Sequence, residues 1–183
     1  MGIELKPEIL SRINQLAKSA AEGSLQPQAA QPPAAIQDLA RFIDHTLLKP
    51  ESTRSDIQRI CKEAREHGFA TVCINSAHIA EAATLLQDSS GRSTTLPIAV
   101  IGFPLGACTT STKVFETREA IRLGAREIDM VVPVGALKEE NYAYVLNDIH
   151  EVVEAAHPYP VKVILETSLL DTRQKVAACV LSV

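Results

Sequence analysis

Short runs of apolar and β-branched residues alternate with longer amphipathic stretches along most of this chain. The first run is Phe42 to Leu47, and a helical pattern from Thr53 to His67 follows it. Four more such pairs come next, with strands predicted at Ala70 to Ile74, Ile98 to Phe103, Glu127 to Val132 and Val161 to Leu165, and a last helix at Asp171 to Ser182. Gly68 and Gly124 fall just after helical patterns, where a left-handed C-terminal cap is wanted, and Ser52, Ser111 and Asp171 are positioned as N-caps. Repeated strand-helix units of this length imply a parallel sheet.

Upstream, Ile9, Leu10, Ile13, Leu16 and Ala17 recur at helical spacing between Pro7 and Gly23, which predicts a short amphipathic helix. The segment SLQPQAAQPPAA after it has little to bury and suits a semi-extended linker. The chain therefore divides into 1–35, a helix and linker, and 36–183, the α/β domain.

Two parallel architectures compete, an open doubly wound sheet and a closed (β/α)8 barrel. Side chains in a strand alternate faces. On one parity lie Asp44 and Thr46 in the first strand, Thr71, Cys73 and Asn75 in the second, Glu127 and Asp129 in the fourth, and Lys162 and Glu166 in the fifth. The opposite parity is almost wholly apolar, with His45 the exception. A sheet covered by helices on both faces has no home for a polar face repeated over four strands, whereas a barrel interior rising toward an active site does. The fold class expected is the TIM barrel. A full barrel takes about 250 residues, so about five βα units make it incomplete here, with two sheet edges open to pairing with another chain.

Composition narrows the function. A formal charge of -4 and 4% aromatic residues give neither a phosphate-neutralising surface nor a base-stacking platform, which argues against nucleic acid as a partner. No apolar run reaches the roughly 20 residues of a membrane span, and the N-terminus lacks a signal-peptide layout. A cytoplasmic protein is expected. The four cysteines, Cys61, Cys73, Cys108 and Cys179, are widely spaced, which predicts reduced thiols and no structural zinc.

Asp129 lies in EIDMVV, a carboxylate between apolar neighbours. Burial there would raise its pKa toward acid/base use; equally, it can be a carboxylate paired with a cation to satisfy the interior. Lys162, inward-facing on the next strand, is the natural partner. Other cations beside it would make it nucleophilic, whereas an adjacent carboxylate would hold it protonated. Asp44, late in the first strand, is placed to bind a substrate hydroxyl or to orient another group. Cys73 faces inward without a partner histidine and reads as a small core filler, and His45 as a histidine packed against the helices. Lys49 directly follows the first strand, where it can reach the mouth of the site or be an exposed loop lysine. The loop GFPLGACTTSTK can present backbone N–H groups to an anion or be an ordinary loop ending in an N-cap.

The segments IDHTLLKP, TVCIN, VIGFPLGACTT, GAREIDMVV and VKVILET, in this order and at these spacings, resemble the deoxyribose-phosphate aldolases. The resemblance runs from about Leu39 to the last residue. It implies a (β/α)8 barrel that cleaves 2-deoxy-D-ribose 5-phosphate to glyceraldehyde 3-phosphate and acetaldehyde through a lysine imine, without metal or organic cofactor, in deoxyribonucleotide catabolism. By motif, Asp129 resembles the family's proton-relay acid/base and Lys162 the interior lysine that supports it, while Asp44 and Cys73 match positions lining the substrate pocket. The family's imine-forming KTSTG motif and its GFKPAGG motif are not in this sequence. The expectation that follows is an aldolase chain truncated before its nucleophile and inactive alone. Two other readings stand beside it: a non-catalytic binding or assembly piece, and a distant transaldolase-like imine-forming barrel.

Overall fold

A computed structural model describes residues 4–26, 36–88 and 90–183. The predicted linker falls largely on 27–35, outside the described residues. Five strands, β1 (Asp44–Leu47), β2 (Thr71–Asn75), β3 (Leu96–Ile101), β4 (Glu127–Val131) and β5 (Val161–Ile164), form one parallel sheet in the order 1-2-3-4-5. Strand order that follows chain order without reversal is that of a singly wound sheet, with its helices on one face. That is the barrel's winding and not that of a doubly wound sheet, where the order reverses at a switch point.

The helices are α1 (Pro7–Ala21), α2 (Arg54–His67), α3 (Ile79–Leu85), α4 (Thr110–Leu123), α5 (Val134–Lys138), α6 (Tyr142–Ala156) and α7 (Thr172–Leu181). Between them and the outer sheet face lies the main core, where Val72, Ile74, Ala99, Ile101, Ile128 and Met130 meet Ile57, Ile60, Val145, Val152 and Ala178. A second, smaller cluster of Cys73, Ile98 and Val100 lies on the inner face. The alternation read from the sequence thus separates two environments, one apolar and one mixed.

Helix ends follow local chemistry. Gly68 and Gly124 close α2 and α4 in the left-handed conformation, at φ +66° and +117°. Asp171 caps α7 reciprocally with Gln174. The other two caps differ from expectation. Thr53, not Ser52, caps α2 and pairs with Asp56, because Ser52 donates to the Lys49 carbonyl and closes the preceding turn. Thr109, not Ser111, caps α4, and Ser111 is already inside the helix.

The first strand is shorter than predicted. Ile36–Phe42 form a 3-10 turn, and Ile43 N donates to the Ala40 carbonyl at 3.2 Å, so the chain straightens only at Asp44. Phe42 is accordingly 73% exposed. Glu166 likewise lies beyond β5, at φ +56°, where its carboxylate accepts from Ser168. It is not part of the inward face of that strand.

Helix α1 is seated on α7. Its Ile13 is fully buried, and Arg173 donates to Asn14 at 2.8 Å and to Glu140 at 2.9 Å.

The loop from β3 to α4 closes over the end of β4. Gly106, at φ +63°, lies against the backbone carbonyl of Val132 so closely that a Cβ would overlap that oxygen. Replacing Gly106 by Ala would add the cost of a left-handed non-glycine residue, about 1–2 kcal/mol, to an overpacking cost of about 1–3 kcal/mol. The variant is expected to lose about 2–5 kcal/mol of stability by denaturant unfolding.

Candidate active site

The inner face of the sheet assembles the site from four strands. The register aligns Asp44 with Thr71, Cys73 with Ile98, Val100 with Asp129, and Asp129 with Lys162. These residues share a face because strand side chains repeat every second position. The Lys162 ammonium sits among three carboxylates, 2.9 Å from Asp44 Oδ2, 3.0 Å from Glu127 Oε1 and 3.1 Å from Asp129 Oδ1. Thr71 Oγ1 donates to the other Asp44 oxygen at 2.6 Å. Cys73 Sγ lies 3.7 Å from Asp129 Oδ2. All four residues singled out from the sequence, Asp44, Cys73, Asp129 and Lys162, converge here.

This geometry decides what the sequence left open about Lys162. Burial alone would lower its pKa, but hydrogen bonds to Asp44 and Glu127 and the Asp129 charge outweigh it, so the ammonium is held well above the ordinary lysine range. It is a fixed positive charge and not a free amine. Asp129 moves the other way for a carboxylate. Burial pushes its pKa up against the pull of Lys162, and the neighbouring Glu127 and Asp44 charges push it further. Its Oδ1 is buried and, despite the nearby ammonium, has no partner in hydrogen-bonding geometry. For Asp44, burial raises the pKa, but hydrogen bonds from Lys162 and Thr71 more than offset it, leaving a carboxylate below its usual range. Two aspartates facing one lysine are therefore driven apart, one toward holding a proton and one toward staying ionised.

Cys73 is not a nucleophile. Burial, reinforced by the Asp129 charge, pushes its thiol up to about 12. His45 points to the opposite face, 2.8 Å from Glu63 on α2 and against the Phe69 ring, as its parity indicated.

The hydroxyls of the β3–α4 loop are largely committed to the scaffold. Thr109 caps α4, and Thr110 donates to Asp148 at 2.7 Å. Beside them, Lys113 is completely buried and donates to Asp148 at 2.6 Å and to the Val131 carbonyl at 2.9 Å. The sequence reading missed this pair. It also gave no role to Thr71, which anchors Asp44, or to Glu127, which shares the parity of Asp129 two residues away.

Comparison with known proteins places this geometry among aldolases. The model of the DeoC/LacD aldolase family matches residues 39–179. The chain is 51% identical over 141 residues to a deoxyribose-phosphate aldolase of Bdellovibrio bacteriovorus, covering 77% of this chain and 62% of the relative. It is 54% identical over 139 residues to one of Staphylococcus haemolyticus, covering 76% and 61%. The chain thus spans about three fifths of the length of these relatives. A solved structure assigned as a deoxyribose-phosphate aldolase from Coccidioides immitis superposes with a TM-score of 0.81 at 38% identity, over 94% of this chain and 67% of that one. A deoxyribose phosphate aldolase from Aeropyrum pernix, described as a unique tetramer, matches with a TM-score of 0.69 at 26% identity, over 94% and 66%. The winding of the sheet, the polar inner face and a family match across all five strands lead to one assignment: this chain belongs to the DeoC/LacD aldolase family.

Proposed function

We propose that the inner face of this sheet is the acid/base half of a deoxyribose-phosphate aldolase site, acting on 2-deoxy-D-ribose 5-phosphate. The observation that supports it best is Asp129, buried and raised in pKa beside an ammonium that three carboxylates hold protonated. A retro-aldol cleavage needs a base to take the proton of the substrate hydroxyl as the carbon–carbon bond breaks, and an acid to return a proton to the carbon released. A buried carboxylate with its pKa raised is suited to both steps, taking the proton first and returning it second. Asp44, kept ionised and partly exposed, is suited to a substrate hydroxyl, and Cys73 closes the pocket wall behind Asp129.

The electron sink of the reaction is an imine nitrogen, which requires a neutral lysine amine. Lys162 is fixed as a cation, and Lys113 is sealed in an ion pair on the far side of β4. The nucleophile of the reaction is neither of them. In this reading the protein is a cytoplasmic enzyme of deoxyribonucleotide catabolism that takes a small phosphorylated sugar and assembles as a homo-oligomer, as the Aeropyrum relative does. Helix α1 is an accessory element ahead of the barrel domain.

The reading is tested by grafting the matched segment of this chain into the Bdellovibrio relative in place of its corresponding 141 residues. The chimera is expected to release acetaldehyde from 2-deoxy-D-ribose 5-phosphate. A chimera that unfolds in one cooperative transition yet releases none would overturn the assignment.

A further inference from the structure

The charges around Lys162 do not balance. One ammonium faces three carboxylates, so like-charge repulsion in a partly dry site favours protonation of the carboxylate that is most buried and least well paired. Their surroundings differ in a way that selects which. The Asp44 side chain is 38% exposed and accepts from both Lys162 and Thr71. Glu127 is 18% exposed and Asp129 11%. Asp129 also turns its second oxygen toward Cys73, in the apolar inner cluster with Ile98 and Val100.

Glu127 and Asp129 are two positions apart on β4, so their Cα atoms lie about 6–7 Å apart along the strand on one face. Lys162 is paired in register with Asp129, yet its ammonium also reaches back to Glu127. The lysine is gripped by two rungs of the same strand and by Asp44 from β1.

We propose that Glu127 is a positioning residue, which together with Asp44 satisfies the Lys162 ammonium so that Asp129 is left as the surplus carboxylate that takes up and returns a proton. The proposal rests on the acid/base reading of Asp129 and assigns the device that keeps it available. Without the Glu127 charge, the ammonium would be matched by Asp44 and Asp129 alone, and Asp129 would become a permanent anion of that pair. The titratable groups facing Asp129 are Lys162 from β5, Asp44 from β1, Cys73 from β2 and Glu127 from β4 itself. From β3 come only Ile98 and Val100. Cys73, with its thiol pushed up to about 12, stays neutral through the relevant range.

The test is a carbon-13 carboxyl titration of the 183-residue chain and its Glu127→Gln variant by NMR. Glutamine preserves the side-chain length and can still accept from the ammonium through its amide oxygen, so a purely steric role would be rescued by it. The charge role would not. The Asp129 midpoint is expected to fall by about one pH unit or more in the variant. An unchanged midpoint in a variant with an unaltered unfolding transition would overturn the proposal. Should the variant fail to fold, the unmodified chain still decides it, because two coupled carboxyls must each register the other's titration. A Glu127 resonance that shows no inflection at the Asp129 midpoint would defeat the assignment. Neither readout depends on turnover, so this proposal and the aldolase reading fail separately.

Discussion

Replacing Lys113 by Met is expected to destabilise the fold by about 3–5 kcal/mol, the cost of removing one partner from a buried ion pair. The Asp148 carboxylate would keep Thr110 as a donor but lose the ammonium, at a position with no exposure to water. The Val131 carbonyl at the end of β4 would lose the same donor. The stem of Lys113 also lies beneath Gly102, where its Cε is 3.1 Å from the point a Cβ would occupy, so the side chain supports the β3–α4 loop from below. Against a domain stability of about 5–15 kcal/mol, this is a large fraction. The double variant Lys113→Met with Asp148→Leu is expected to recover most of it, because two apolar side chains of similar volume remove both desolvated charges together. Urea unfolding of the single and double variants measures both effects. A single variant within about 1 kcal/mol of the unmodified chain would show that the pair contributes far less than such pairs usually do.

This ion pair also marks the limit of what the sequence made legible. The alternation of polar and apolar residues in β1, β2, β4 and β5 was sufficient to place Asp44, Cys73, Asp129 and Lys162 on one face and to separate them from His45. A strand admits only two faces, and one of them was nearly free of polar side chains. Helices give a weaker signal. Lys113 stands three and four residues apart from positions that read as polar, yet Lys113, Thr117 and Ala120 are all buried, at the spacing of a helix face. Asp148 likewise lies among Val145, Ile149 and Val152 on the buried side of α6. A lysine on one buried face and an aspartate on another announce a pair only once the two faces are known to meet, and that is tertiary information. The same holds for the beginning of β1. Phe42 and Ile43 have the composition of a strand, but the turn closed by Ile43 N and the Ala40 carbonyl delays the strand until Asp44. Glu127 was a different kind of omission. Its parity was visible, but its role depends on how far the Lys162 side chain reaches back along the strand, a distance that spacing alone does not fix.

In the chimera described above, Asp129→Asn is expected to lower kcat for cleavage of 2-deoxy-D-ribose 5-phosphate by about 10²- to 10⁴-fold, the usual contribution of a positioned acid/base. Asparagine matches the carboxylate in shape and can accept from Lys162, so the pocket and the substrate's ground-state contacts are retained. What it cannot do is bind and release a proton in the working pH range. An interaction made only in the transition state appears in kcat and kcat/KM together, leaving KM nearly unchanged. Asp44→Asn provides the contrast. Asp44 is partly exposed and held ionised by Lys162 and Thr71, so its loss should act chiefly through substrate binding and raise KM. The two variants thus separate the roles that burial assigns to two aspartates facing the same ammonium. Asp129→Asn turning over within about tenfold of the unmodified chimera would be below the range of acid/base catalysis. Asp129 would then be a structural counter-ion to Lys162, and the proton transfer would have to be sought on another group.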